Sequence, residues 1–548
     1  MTTRTSARRR ALRLATAATA AIALALLAGC SAGSSTTTGP TPPPFLSSSG
    51  DGTPVKGGEL RVGVISGGPA ESVNPGVTST YGDHARVLSI YDRLFEQKID
   101  NPGTTDFSIS YAPSLATAAT SNADATLWTI TLRSGVLWQD GSPFTAADVV
   151  WAIQNVWSDQ RDSMYAYATT TIDIPNVHAT DPLTVVIPMK MGTAEFPSLL
   201  TMSGASITKN GESFDDLSAH PMGTGPFEVS SFSPGDRTEL VANPHYWQPG
   251  KPYLDKVTLV SFTDEGARSN ALLSGSIDAA PNYSFSLAAA NLNNPAVKIL
   301  NVPSGGTHYI YVNLEQAPYN DPRLVEALKL LVDRQTMIQN VFNGFATESN
   351  DLLGLGTQYY DSSSTRSYDP DKARQLIKDA GLENAKLEIT TAPAIAGFVE
   401  AATLFAEQAR AVGLDVNVKQ VDPSTYFTTA GGWLSLPMGQ DQTLAFPSLT
   451  AYYLTFFTPT AYADETHWGA SHPDSAPAML QAMSATDPTT ANSMWAAVQK
   501  QQFDQGGVIG VGNANEVDAV APNVRGLTAT GSSVALNNFR FQDAWITQ

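Results

Sequence analysis

One cysteine in 548 residues excludes an intramolecular disulfide and any cysteine-rich metal cluster. Positive charge is also in deficit: 32 Lys and Arg face 51 Asp and Glu, a formal charge of −19. Such a surface repels nucleic acid and anionic lipid headgroups before contact, so neither is expected as a partner. Catalytic signatures are missing as well. There is no HExxH, and the only GK that could open a phosphate loop, Gly250 and Lys251, runs into Pro252. Gly510, Val511 and Gly512 lack the third glycine and downstream acid of a dinucleotide loop and read as a strand. Neither an enzyme nor a cofactor is expected. What remains is an acidic globular composition, 42% hydrophobic, long enough for about three structural units and for several buried cores without a covalent staple.

The amino terminus supplies the first positive signal. Residues 1–29 carry Arg4, Arg8, Arg9, Arg10 and Arg13, no acid, and then the apolar run Leu14 to Ala28, the layout of an export signal. Those fifteen residues are too few to span a hydrocarbon core of ~30 Å as a lasting anchor. Arg9 and Arg10 leave both the general secretory and the twin-arginine route open. The sole cysteine ends the run Leu27, Ala28, Gly29, Cys30, which resembles the bacterial lipobox, so Cys30 is the expected lipid attachment point and the first mature residue. Cleavage there removes five arginines and takes the formal charge from −19 to −24. Residues 30–55 are expected as a disordered tether, because 20 of the 25 positions from Ser31 to Val55 are Ser, Thr, Gly or Pro.

From Lys56 onward short β-rich runs alternate with amphipathic helices, which predicts an α/β class. Thr126 to Leu132 (TLWTITL) reads as a strand, and Asp140 with Gly141 reads as a turn. Thr145 with Asp148 caps a helix whose Val149, Ile153, Val156 and Trp157 form one apolar stripe. Asp321 with Pro322, Asp333, and Asp369 with Pro370 mark three further helix starts, and Gly381 suits the residue after the last of these. Lys386–Thr391, the helical stretch Phe398–Val412 and Leu414–Val421 predict a strand, helix, strand unit with parallel strands.

Leu132 to Val150, LRSGVLWQDGSPFTAADVV, resembles the signature of the family 5 extracellular solute-binding proteins of ABC importers, the dipeptide, oligopeptide and nickel binders. KGGELRV from Lys56, YDRLFE from Tyr91, GTGPF from Gly223, NPHYWQPGKPYLDKV from Asn243, and the Asn313–Arg334 stretch agree with that family in the same order. The resemblance implies a two-lobe, periplasmic-binding-protein-like fold of type II, of the large peptide-binder class, with a subdomain inserted in lobe I. It places lobe I in 56–83, 222–308 and 513–548, the insertion in 84–221, and lobe II in 309–512. Chain crossings that can serve as a hinge are expected near His308–Tyr311 and Gly510–Asn515.

The resemblance also implies a role: a monomeric, lipid-anchored binding subunit that captures peptides or another small solute in a closing cleft and hands them to permease and ATPase subunits. Ligand-facing candidates are Glu71, Ser72 and Val73 in the loop after the first strand, Tyr81 nearby, and Gly432, Trp433 and Asp441 in lobe II. Relatives hold the peptide ammonium with an aspartate four residues before a proline. Counting back from Pro447 reaches Thr443, and the nearest carboxylate is Asp441. Two other readings stay open: a diverged lipoprotein of envelope lipoglycan assembly or signalling, and a metal or haem carrier using His467 and His472 with Asp464, Glu465 and Asp474.

Overall fold

The computed structural model describes residues 42–65, 67–78, 80–157, 170–428, 432–459, 461–532 and 534–547. The expected export signal and Cys30 lie outside the described residues. In chain order, β1 (Glu59–Ile65) and α1 (Tyr81–Ile90) lead into a hairpin of β2 (Phe95–Asp100) and β3 (Ser108–Pro113). Then come β4 (Ala116–Ser121), β5 (Leu127–Leu132), α2 (Ala146–Trp151), β6 (His178–Asp181) and β7 (Thr184–Pro188). The path returns through β8 (Phe227–Ser233), β9 (Arg237–Ala242), β10 (Lys256–Phe262), β11 (Ala279–Ala280) and β12 (Lys298–Val302). It continues as β13 (Thr307–Val312), α3 (Pro322–Leu330), α4 (Arg334–Asn340), β14 (Ala346–Thr347), α5 (Pro370–Asp379), β15 (Lys386–Thr391), α6 (Phe398–Ala411) and β16 (Asp415–Gln420). It closes with β17 (Met438–Gln442), α7 (Leu449–Phe456), α8 (Ser475–Ser484), α9 (Pro488–Gln505), β18 (Val508–Ala514) and β19 (Glu516–Val520).

Two sheets organise the lobes. Lobe I is built on seven strands in the order β12-β19-β11-β1-β10-β9-β8, with β1 parallel to both β10 and β11. Leu60, Val62 and Val64 alternate along β1 with no exposure, as expected for a central strand. Lobe II is built on β14-β18-β13-β17, where all six residues of β13 are buried because both faces are covered. A separate sheet, β4-β5-β7-β6, carries the insertion. Its β5 buries Trp128, Ile130 and Leu132 on one face, and Val149, Ile153, Val156 and Trp157 pack in the same core.

Local signals are realised closely. Asp321, Asp333 and Asp369 accept hydrogen bonds from the backbone N–H groups of Arg323, Thr336 and Lys372 at 2.9, 3.1 and 2.9 Å. Asp148 accepts from Thr145 N at 2.7 Å, and Gly381 has φ +70°. β15 and β16 pair in parallel, with α6 between them. Removing the exposed cap by Asp369→Ala is expected to cost about 1 kcal/mol, read as a lower denaturant midpoint at unchanged slope.

Three expectations need correction. The tether does not reach Val55: Leu46 and Asn301 exchange backbone hydrogen bonds, and Ser49 N donates to Leu527 O at 2.9 Å. A Ser-rich run stays ordered here because neighbouring backbone offers it a ladder. The insertion does not begin at residue 84, since Ala85, Val87, Leu88 and Ile90 of α1 are buried in the core of the seven-stranded sheet. The first crossing precedes His308–Tyr311, which lie inside β13; residues 303–306 connect β12 to β13, and the single residue Asn515 connects β18 to β19.

Candidate functional site

The lobe II sheet assembles an acidic and aromatic face. β13 and β17 are antiparallel, with Tyr309 opposite Asp441 and Tyr311 opposite Gly439. Directly opposed residues point to the same side of a sheet, so the two tyrosines and Asp441 share one face. A side chain at position 439 would strike the Tyr311 ring, which makes glycine necessary there. Tyr311 donates to the Trp433 carbonyl at 2.5 Å, and Tyr426 both donates to Gln440 O (2.8 Å) and accepts from Gln440 N (2.7 Å). Tyr426, Phe427, Trp433 and Tyr462 then follow one another edge to face, at ring separations of 4.9, 5.7 and 6.3 Å.

Two carboxyls sit in this face with no basic partner among the described residues. Asp441 is 7% exposed, and burial pushes its carboxyl up to about 7, opposed only by a hydrogen bond from Gln442 N. Glu465 is 2% exposed and is pushed well above its ordinary value by burial and then by the charge on Asp441. Its Oε1 accepts from Tyr309 at 2.5 Å, while its Oε2 is buried with no hydrogen-bond partner. Among the described residues, no lysine, arginine or histidine is a leading cause of either shift. A buried negative pair of this kind is stable only when protonated or when a cation arrives. Thr443 lies two residues beyond Asp441, yet its N–H and Oγ are bonded to the Thr307 carbonyl and N–H at 2.9 and 3.1 Å.

The loop after β1 is placed differently. Glu71 is 6% exposed, and its carboxylate accepts from Arg86 (2.6 Å), Gly235 N (3.0 Å) and Ser261 (2.9 Å). Ser72 N donates to Asp83 at 2.8 Å, its Oγ accepts from Asn74 N, and Val73 packs in the lobe I core. The side chains of Glu71 and Val73 therefore face inward, a correction to their expected ligand-facing role: the nearby guanidinium claims one and the apolar core the other. Tyr81 is half-buried, its hydroxyl pushed up to about 12 by burial and the charges of Asp518 and Glu516. Gly432 is buried against the Thr428 carbonyl, with no room for a Cβ, and Trp433 is 6% exposed. Glu71, Ser72, Val73 and Tyr81 thus belong to the lobe I side, and Gly432, Trp433 and Asp441 to the lobe II side.

The residues proposed for a metal are dispersed. His467 bonds Glu315 and the Leu434 carbonyl, His472 stacks on Trp468 at 3.8 Å, and Glu465 turns to Tyr309. Among the described residues, no group of three or more potential ligands comes together.

Direct bonds join the insertion to lobe II. Gln97 donates to Ala445 O at 2.8 Å, Ile109 N to Gly356 O at 2.7 Å, and Ala194 N to Met483 O at 2.7 Å. Glu195 accepts from both the N–H (3.1 Å) and hydroxyl (2.7 Å) of Thr450, in the first turn of α7. Sequence reasoning does not single out Glu195, Tyr309 or Tyr426, and it reaches Glu465 only as a candidate metal ligand. The alternation of tyrosines in THYIYV was the one available signal.

Comparison with known proteins places this geometry. Residues 110–464 match the family model for bacterial extracellular solute-binding proteins, family 5, middle region. The glutathione-binding protein GsiB of Escherichia coli O157:H7 is 31% identical over 276 residues, 49% of this chain and 53% of the relative. The GsiB of Salmonella typhimurium is 31% identical over 273 residues, 49% and 52% of the two chains. The chain thus matches about half the length of these curated relatives. Among solved structures, the ABC transporter-associated binding protein DppA of Helicobacter pylori, in complex with the peptide STSA, superposes with a TM-score of 0.74 at 20% identity, covering 90% of this chain and 99% of that one. CtaP of Listeria monocytogenes gives 0.75 at 21% identity, covering 90% and 100%. These likenesses establish the two-lobe fold, and the relatives are binding proteins rather than enzymes. The chain belongs to the bacterial extracellular solute-binding proteins of family 5.

Proposed function

We propose that the chain is the substrate-binding subunit of an ABC importer, held at the outer face of the cell membrane by lipid on Cys30, and that it captures peptides between its lobes for delivery to a permease. The observation that carries the peptide reading is the buried pair Asp441 and Glu465, two acids with no basic group among the described residues as a leading cause of their shifts. A peptide ammonium supplies the missing charge, and the aromatic row from Tyr426 through Phe427 to Trp433 offers apolar wall beside it. The relatives named for glutathione, and a structural neighbour holding a tetrapeptide, agree with ligands of this class.

The test is a melting scan of the protein against short peptides and their N-acetylated forms. A ligand at 100 times its dissociation constant adds about 2.7 kcal/mol to stability. Free peptides are expected to raise the melting temperature and acetylated ones not to. Equal shifts with both, or none with any peptide, would discard the ammonium reading. Metabolic labelling with palmitate, lost in Cys30→Ser, tests the anchor separately.

Capture by closure also implicates Glu195, whose bonds to Thr450 exist only while the insertion meets lobe II. Ligand favours the arrangement that gives it contacts from both sides. Glu195→Ala is expected to weaken peptide affinity about tenfold, the equivalent of about 1.4 kcal/mol of lost closure, by titration calorimetry. An unchanged affinity would remove this contact from the closing step.

A further inference from the structure

The expected tether ends in a built structure at the place where the chain crosses between lobes. Leu46 and Asn301 exchange backbone bonds at 2.9 Å each, and Ser47 O accepts from Ala529 N at 2.9 Å. Ser49 O accepts from Lys298 Nζ at 2.6 Å. Residues 46–49 therefore lie between β12 and the stretch 527–529.

Asn301 makes this more than an extra edge. It is fully buried, and both ends of its amide are used. Its Nδ2 donates to the carbonyls of Pro44 (3.1 Å) and Pro43 (3.4 Å), and its Oδ1 accepts from Asn515 Nδ2 at 2.7 Å. Asn301 is the last residue but one of β12, and Asn515 is the whole of the second crossing. One amide thus joins the end of β12, just before the first crossing, and the second crossing to the amino-terminal segment. The ring of Pro43 also rests on lobe II, its Cδ 2.8 Å from where a side chain on Gly344 would begin. Rotation of the lobes about the crossings must change the backbone at 303–306 and 515 and shift Gly344 relative to Asn301. Pro43 contacts both and cannot follow both.

We propose that residues 43–49 are a strap that holds the two crossings in the closed arrangement, and that the lobes part only as the strap peels from Asn301. The proposal adds a conformational control outside the cleft, on the segment that follows the export signal, and it does not depend on which ligand the protein takes.

Amide hydrogen exchange on the full-length chain tests it without a ligand. Ile109 and Thr450 donate across the lobes, so their amides report opening. Asn301→Ala and, more gently, Pro43→Gly are expected to speed exchange at both amides about fivefold or more. Ser48 and Thr528 face each other across the strap. Pinning them as the disulfide of Ser48→Cys with Thr528→Cys, in a Cys30→Ser chain, is expected to slow both amides until reductant is added. Changes confined to residues 46–49, 301 and 527–529, with Ile109 and Thr450 unmoved in Pro43→Gly and in the pinned chain, would overturn the strap.

Discussion

Asp441→Asn is expected to give a protein that is more stable than the native chain at pH 8 and no longer captures peptides with a free amino group. Burial raises the folded carboxyl from 3.8 to about 7, so between those values the folded protein keeps a proton that the unfolded chain has released. Stability contributed by this group is complete below about pH 4 and drains away as the pH climbs to 7. A rise of that size corresponds to on the order of 4 kcal/mol. Asparagine cannot ionise, so the drain disappears. The variant should match the native chain near pH 4 and exceed it at pH 8 in denaturant midpoint. Capture should move the other way, because the ammonium loses its charged partner, a loss of about 2–5 kcal/mol where such a pair is buried. At pH 6, native binding should release a proton, seen as calorimetric heats that vary with buffer ionisation enthalpy. A variant that binds free peptides normally would return Asp441 to the status of a buried structural acid.

This opposition between stability and capture also shows what the sequence could and could not reveal. Helix starts were legible because a cap is written within four residues: Asp321 with Pro322, Asp333, Asp369 with Pro370, and Thr145 with Asp148 each act on a neighbouring N–H. The parallel pair β15 and β16 was legible from strand, helix, strand order. The acid pair was not. Asp441 is on a strand and Glu465 follows α7, and among the described residues the side-chain partner of Glu465 is Tyr309, from a third segment. The strap was masked by composition, since Ser and Pro argue for disorder until a buried asparagine supplies a donor for the Pro43 and Pro44 carbonyls. Glu71 misled for the opposite reason. It stands in a loop expected from the resemblance to face ligand, and the structure puts its partner fifteen residues on, inside a helix.

That partner sets the largest stability effect expected for a single side chain. Arg86 has no exposed side-chain surface and holds Glu71 at 2.6 Å, Asp83 at 2.9 Å and the Thr238 hydroxyl at 2.8 Å. Both carboxylates have further donors: Gly235 N and Ser261 for Glu71, Ser72 N and Thr80 N for Asp83. The network therefore ties the loop after β1 to α1 and to β9 and β10. Arg86→Met keeps the bulk but leaves two buried acids without their cation, which is expected to cost about 3–5 kcal/mol. Glu71→Gln retains a hydrogen-bonding group and should cost less, while leaving peptide affinity unchanged, because the carboxylate faces Arg86 rather than a ligand. The pair of variants separates the two roles. A tenfold loss of affinity in Glu71→Gln, at a temperature where the protein is fully folded, would mean that this carboxylate reaches the ligand after all and that the inward arrangement belongs to the empty protein alone.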